Sequence, residues 1–353
     1  MSKNLLMTGN EAMAEGAIQA GCRFYAGYPI TPQNEIPAFM SKRMPEVGGV
    51  FIQSESELAA INMVFGAAAT GERAMTSSSS PGISLKQEGI SYIAGAELPA
   101  VIINVMRGGP GLGNIWPAQS DYFQATRSGH GDYHSIVLAP ASAQEAYDIM
   151  PVAFTLADKY RNPVMILGDG MLGQMMEPVV INSQVPSSNS QIKKPWALTG
   201  CKGRNANIVK SFFMKEGELE ESNISLQKKY RLISQKEQRY EPFKLSDAKI
   251  ILVAYGTMAR IAKSAVNRLR EEGKKVGLIR PITLWPFPDK VIKQATGKQA
   301  NRRTFLVIEM SYGQMVEDVK LSVNGRIPVE FLGRSGGGIP SEEEIIKKIK
   351  TII

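Results

Sequence analysis

Polar and apolar positions along the chain fall into three regimes. From residue 1 to about 185, short apolar runs alternate with longer stretches of helical period. Val50–Gln53, Ala74–Ser77, Ala100–Val105, Ser135–Leu138 and Val164–Leu167 have the pattern of strands buried on both faces. Between them, 55–70, 84–96 and 143–159 carry apolar residues at helical spacing. Strand–helix alternation predicts an α/β fold, a parallel sheet with helices on both faces.

The alternation stops at about 186 and returns at 247. SQVPSSNSQIKKPW reads as a polar loop, and KEGELEESNISLQKKYRLISQKEQRYEP as one exposed helix or two short ones. Residues 186–246 are therefore expected to be a linker with a charged helical segment. In 247–353, strands are expected at 249–255, 275–280, 304–309 and 328–332, with a helix running from 256 to about 272. The final SEEEIIKKIKTII opens on Ser and three Glu and ends in lysines, a capped amphipathic helix that agrees with its own dipole.

Composition narrows the function. With 43% hydrophobic residues, 353 positions are enough for two or three packed domains. No apolar run reaches the roughly 18 residues of a membrane span, and no signal peptide is read at the N-terminus. A cytoplasmic protein with no membrane role is expected. The net charge of +8 is spread among glutamates and lacks a basic stripe interleaved with aromatics, so a protein partner is expected rather than nucleic acid. The two cysteines, Cys22 and Cys201, lie far apart, too few to hold a zinc ribbon or an iron–sulfur cluster in this chain.

Several motifs fail on inspection. GGPGLGN at 108–114 puts Asn114 where a dinucleotide loop needs its third glycine. His130 and His134 have helical metal spacing, but Gly129 and Gly131 argue for a loop and a structural or pocket-lining role. Gly168–Asp169–Gly170 looks like the start of a magnesium diphosphate motif, yet the window after it has no matching Asn-Asn. Asp169 is expected to serve a structural turn, with no metal.

Three segments carry a resemblance: GYPITPQNE at 27–35, QSESELAAINMVFGAAATGERAMTSSSSPGISL at 53–85, and the stretch 96–142 containing RGGPGLGNIWPAQSDYF. Together they resemble the α-type, thiamine-pyrimidine-binding subunit of 2-oxoacid:ferredoxin oxidoreductases. The last region is similar to that subunit's transketolase C-terminal-like domain, and WALTGCKGR with the charged segment after it looks most like the branched-chain 2-oxoisovalerate members. The resemblance implies a pyrimidine-type thiamine-diphosphate domain at 1–185, the linker at 186–246 and the transketolase-like domain at 247–353. It also implies a thiamine diphosphate shared with a diphosphate-binding β-type subunit. Mg²⁺ and iron–sulfur clusters would be held by partners, among them a γ-type subunit and a ferredoxin-like cluster subunit, with coenzyme A and ferredoxin as co-reactants.

Carried over residue by residue, the resemblance makes Glu57 the catalytic carboxyl that bonds the pyrimidine ring nitrogen. Glu57 opens a mostly apolar helical stretch, and a carboxyl against a low-dielectric wall tends to keep its proton. Glu55 and Ser56 are its nearest rivals, and the following GAAATG favours Glu57. Thr31 and Arg107 would bind the substrate carboxylate, Arg107 through paired bonds from the end of an apolar strand. Tyr28, Pro29, Ile30, Gly108 and Gly109 would line the cofactor. Ser80 stands where the family more often has Gly before Pro. A 2-oxoglutarate enzyme, a non-catalytic docking subunit and a self-contained thiamine decarboxylase remain as alternatives. Gly256–Thr257 heads a helix that could meet an anion such as a coenzyme A phosphate, although a scaffolding role is preferred for that domain.

Overall fold

The computed structural model describes residues 3–181, 193–296 and 303–352. Its largest sheet is built as the apolar runs require. β2 (Phe24–Gly27), β3 (Val50–Gln53), β4 (Ala74–Ser78), β5 (Ala100–Met106), β6 (Ile136–Leu138) and β7 (Pro163–Asp169) pair in parallel in the order β6-β7-β5-β4-β2-β3. The central strands β4, β5, β6 and β7 are buried throughout, which explains their lack of polar alternation.

Local signals set where several helices around this sheet start. α3 (Glu57–Ala69) begins two residues later than its periodicity suggests, because Ser56 is extended and its hydroxyl accepts from Ala59 N–H. α4 (Ser80–Gly95) begins four residues earlier, since Pro81 is compatible with a first helical turn. α6 (Ala143–Tyr160) starts from a Ser142 cap. The first 48 residues, for which no elements were assigned from the pattern, form β1 (Lys3–Thr8), α1 (Gly9–Gln19), β2 and α2 (Glu35–Glu46). β1 pairs antiparallel with β8 (Met176–Ile181) in a separate two-stranded ribbon.

The second sheet contains β10 (Ile250–Val253), β11 (Val276–Pro281), β13 (Thr304–Glu309) and β14 (Val329–Gly333), parallel and ordered β14-β13-β10-β11. α9 (Gly256–Glu271) and α12 (Glu342–Lys350) pack against it, the latter closed by a Ser341–Glu344 capping box. Two strands enter the sheets in ways the pattern does not show. β9 (Tyr240–Phe243), inside the stretch expected to be linker, joins the second sheet antiparallel to β11. β12 (Thr283–Trp285) leaves the second domain and joins the first sheet antiparallel to β6. Both sheets are therefore mixed at one edge. The charged segment forms a single helix, α8 (Glu218–Lys236), and it is not simply exposed. Leu226, Tyr230 and Ile233, spaced four and three apart, are buried.

Candidate functional site

Parallel strands deliver their carboxyl ends to one edge of the sheet, and neighbouring loops there meet. The loops leaving β3, β2, β4 and β5 carry, in order, Glu57, Tyr28–Thr31, Ser79–Ser80 and Arg107–Gly109. The expected residues Tyr28, Pro29, Ile30, Thr31, Glu57, Arg107, Gly108 and Gly109 are thus placed along the same edge.

Glu57 is the first residue of α3 and is 6% exposed. Its carboxyl lies against α4 at Gly82. A methyl group there would come within 2.6 Å of Glu57 Oε1 and 2.1 Å of Ser78 Oγ. The hydroxyls of Thr76, Ser78 and Ser79, at the end of β4, are buried and have no hydrogen-bond partner among the described residues. Buried hydroxyls are normally satisfied, so an unpartnered group of them beside a carboxyl fits a polar ring supplied by a ligand. The smallness of Gly82 leaves the carboxyl room at that point.

Arg107 is buried at the end of β5. One terminal nitrogen donates to Thr31 O and the other to Leu112 O, both at 3.0 Å, while Nε is buried with no partner among the described residues. One of its N–H groups therefore ties the β5 loop to the β2 loop and another braces the β5 loop itself. Thr31 O accepts from Arg107. Thr31 as a residue is half-buried, and its hydroxyl accepts from Asn34 at 3.4 Å. Tyr28 and Pro29 are exposed, Ile30 and Gly109 half-buried, and Gly108 is buried, with its carbonyl accepting from Asn114 N–H.

A polar network supports this edge. Ser80 has φ +20°, a backbone setting that suits glycine, and compensates with its side chain. Its hydroxyl donates to Asp121 at 2.6 Å and accepts the Arg107 N–H at 3.0 Å, while its own N–H reaches Asn104 at 3.1 Å. Asn104 also donates to Asp121 at 3.0 Å. Burial pushes the Asp121 carboxyl up, and the bonds from Ser80 and Asn104 with the charge of Arg107 pull it back. The role of this network was not anticipated. Its signal in the sequence is Asn104, a lone amide inside the apolar run VIINVM.

Asp169, of the Gly-Asp-Gly sequence, faces the second domain. One carboxylate oxygen accepts from Met171 and Leu172 N–H at 3.1 and 3.0 Å, and from the Thr257 hydroxyl at 2.8 Å. The other accepts from Thr257 N–H at 3.3 Å. The head of α9 at Gly256–Thr257 thus meets a carboxylate of its own chain. Among the described residues, no group of three or more His, Cys, Asp and Glu side chains could hold a metal ion. His134 stacks on Trp285, with ring centroids 4.4 Å apart, and meets Tyr230 edge-on at 5.4 Å, in an aromatic cluster joining the first domain, α8 and β12. His130 lies in a loop and packs edge-on to Tyr92.

The family profile described as pyruvate flavodoxin/ferredoxin oxidoreductase, thiamine diphosphate-binding, matches residues 15–258, and the profile for pyruvate:ferredoxin oxidoreductase core domain II matches 248–345. The ketoisovalerate oxidoreductase subunit VorB of Methanothermobacter marburgensis is 51% identical over 98% of this chain and 97% of its own length. The chain belongs to the 2-oxoacid:ferredoxin oxidoreductase family.

Within this oxidoreductase family, the 2-oxoglutarate synthase subunit KorA of Methanocaldococcus jannaschii is more distant, at 37% identity over 97% of this chain and 98% of its own. The chain also superposes on the 2-oxoglutarate:ferredoxin oxidoreductase of Magnetococcus marinus, solved with 2-oxoglutarate, coenzyme A and succinyl-CoA bound. The TM-score is 0.84 and the identity 25%, covering 99% of this chain and 65% of that one. A split-gene transketolase, at TM-score 0.61 and 14% identity, shares the fold.

Proposed function

We propose that this chain is the thiamine-pyrimidine-binding subunit of a branched-chain 2-oxoacid:ferredoxin oxidoreductase of the cytoplasm, active only in assembly with partner subunits. The observation that carries the reading is the Glu57 carboxyl, set against Gly82 beside the unpartnered Ser78 and Ser79 hydroxyls at the carboxyl edge of the sheet. Thiamine diphosphate, when bound, supplies a nucleophilic carbon and an electron sink for decarboxylation. Glu57 would hold a proton against the pyrimidine ring nitrogen. Gly108 and Gly109 would lie beside the ring, Gly109 with open space where a side chain would stand and Gly108 closed against Asn114, and Tyr28, Pro29 and Ile30 would wall it. Arg107 Nε and the Thr31 hydroxyl would orient the 2-oxoacid carboxylate, since a charge-assisted bond from a buried arginine is stronger than one in water.

The remaining chemistry falls to the partners. Asp169, the residue best suited by sequence to a magnesium site, is engaged with Thr257 and the head of α7 (Gly170–Gln174), which supports a Mg²⁺ and diphosphate site on a β-type subunit. Cys22 is buried and Cys201 exposed, and two separate thiols are too few for a cluster. Iron–sulfur clusters are accordingly assigned to partner subunits, among them the ferredoxin-like cluster subunit. The overall reaction would convert 2-oxoisovalerate and coenzyme A to the acyl-CoA and CO₂, with electrons passing to ferredoxin. The higher identity to a ketoisovalerate subunit than to a 2-oxoglutarate synthase subunit favours the branched-chain substrate, with 2-oxoglutarate as the second choice.

The test is 2-oxoacid-dependent reduction of ferredoxin or a viologen dye, with thiamine diphosphate, Mg²⁺ and coenzyme A. The expected result is activity in the partnered chain alone, greatest on 2-oxoisovalerate, and a loss of about 100-fold or more in partnered Glu57→Gln. Full activity in that variant would overturn the catalytic assignment and leave a docking subunit in its place. Turnover by the isolated chain would revive a self-contained decarboxylase.

A further inference from the structure

The seam between α3 and α4 holds a charge that the proposed function does not use. Gly82, Lys86 and Gly89 are spaced four and three apart, so they share one face of α4. That face meets α3: an added methyl at Gly82 would strike Glu57, and one at Gly89 would lie 2.5 Å from Ile61. Lys86 sits between these two close approaches with no exposed surface, and its ammonium donates to the Glu57 carbonyl at 3.3 Å. A lysine sealed into a helix seam is costly to keep charged, and an apolar side chain of similar length would pack there without that cost.

We propose that Lys86 is a positioning residue for the Glu57 carboxyl, fixing the first turn of α3 by its bond and drawing the shared proton away from Glu57 toward the cofactor ring by its charge. The inference rests on the reading of Glu57 given above. Burial pushes the Lys86 ammonium down to about 7, and the charge of the Glu57 carboxylate pulls it back up. Glu57 is the charged group acting on Lys86 across the seam. Beneath α4, β5 carries no titratable side chain, and the Asp169 of β7 is engaged with Thr257. Asp121 meets the head of α4 through Ser80, and Tyr133 and His130 meet its outer side through Gln87 and Ser91. Glu88 on α4 itself is exposed.

Removing a neighbouring cation raises the proton affinity of a carboxyl. In the assembled complex, Lys86→Met is expected to move the acid limb of the kcat/KM profile upward by about one pH unit. It is also expected to slow deuterium exchange at the cofactor's reactive carbon, measured without 2-oxoacid, with cofactor affinity retained. Lys86→Gln keeps a donor for the Glu57 carbonyl but no charge, and is expected to shift the limb equally; it is read in the same way if the Met variant does not assemble. If both variants give the wild-type limb and exchange rate while Glu57→Gln is inactive, the Lys86 inference falls and the Glu57 reading stands. If Glu57→Gln is fully active, both fall.

Discussion

Lys86 shows what a single buried charge does to the stability of this fold. An unfolded chain keeps this lysine protonated to about pH 10.4, whereas the folded chain releases the proton near 7. Between these values the unfolded state holds more protons, so the fold gains stability as the pH rises and forfeits it as the pH falls toward 7. Lys86→Met removes the penalty. Its stability advantage over the wild-type chain should be largest at and below about pH 7, shrinking by at most about 1.4 kcal/mol per pH unit toward pH 10. Urea denaturation of the full chain at several pH values checks this, and a pH-independent difference would mean that Lys86 stays protonated in the folded protein. Arg107 and Ser80 teach a related lesson. Arg107 was legible as a strand-end cation, but its bond to the Thr31 carbonyl joins residues 76 apart and has no trace in local pattern. Ser80 in the place of a usual glycine was legible as a departure. What makes it workable, the bonds to Asp121 and Arg107, was not.

At the scale of elements, the periodicities located α3, α4 and α6, and the Ser56 cap and Pro81 explain where the starts of α3 and α4 differ. Two glycines let the α3–α4 pair approach closely. Gly89→Ala drives a methyl into Ile61 and is expected to cost about 1–3 kcal/mol with little change in turnover. Gly82→Ala drives one into Ser78 and Glu57, and should lower activity of the assembled complex by tenfold or more at a comparable stability cost. Thermal melts and dye reduction on the two variants separate the effects. Equal activity losses would mean that the seam acts as one rigid unit and that Gly82 has no special relation to the site. The α8 segment reads in sequence as one exposed helix or two short ones, and its buried stripe is masked by the surrounding Lys and Glu. Three apolar positions are enough to dock it, and Tyr230 meets His134 and Trp285 there.

The whole molecule is interlocked. β12 crosses from the second domain into the first sheet, and Asp169 binds the head of α9. Arg280 of β11 pairs with Glu145 of α6 through bonds of 2.8 and 3.0 Å. Gln119 joins the ends of β10 and β13, donating to Tyr255 O and accepting from Met310 N–H. Unfolding of the full chain is expected to be a single calorimetric transition. Asp169→Ala strands the Thr257 hydroxyl and two α7 N–H groups, and should lower stability by about 3 kcal/mol and split that transition. A single transition with an unchanged midpoint would show that Asp169 does not couple the domains.

By itself the sequence determined the α/β class, the run of central strands and the positions of α3, α4, α6, α9 and α12. These follow from local periodicity, turn residues and short motifs, all of which act over a few neighbours. Only the tertiary structure decided that β9 and β12 change sheets, that Asp169 meets Thr257 rather than solvent, and that Lys86 lies against Glu57. Each of these depends on contacts between residues 29 to more than 140 positions apart, where packing of distant segments, not local preference, sets the geometry.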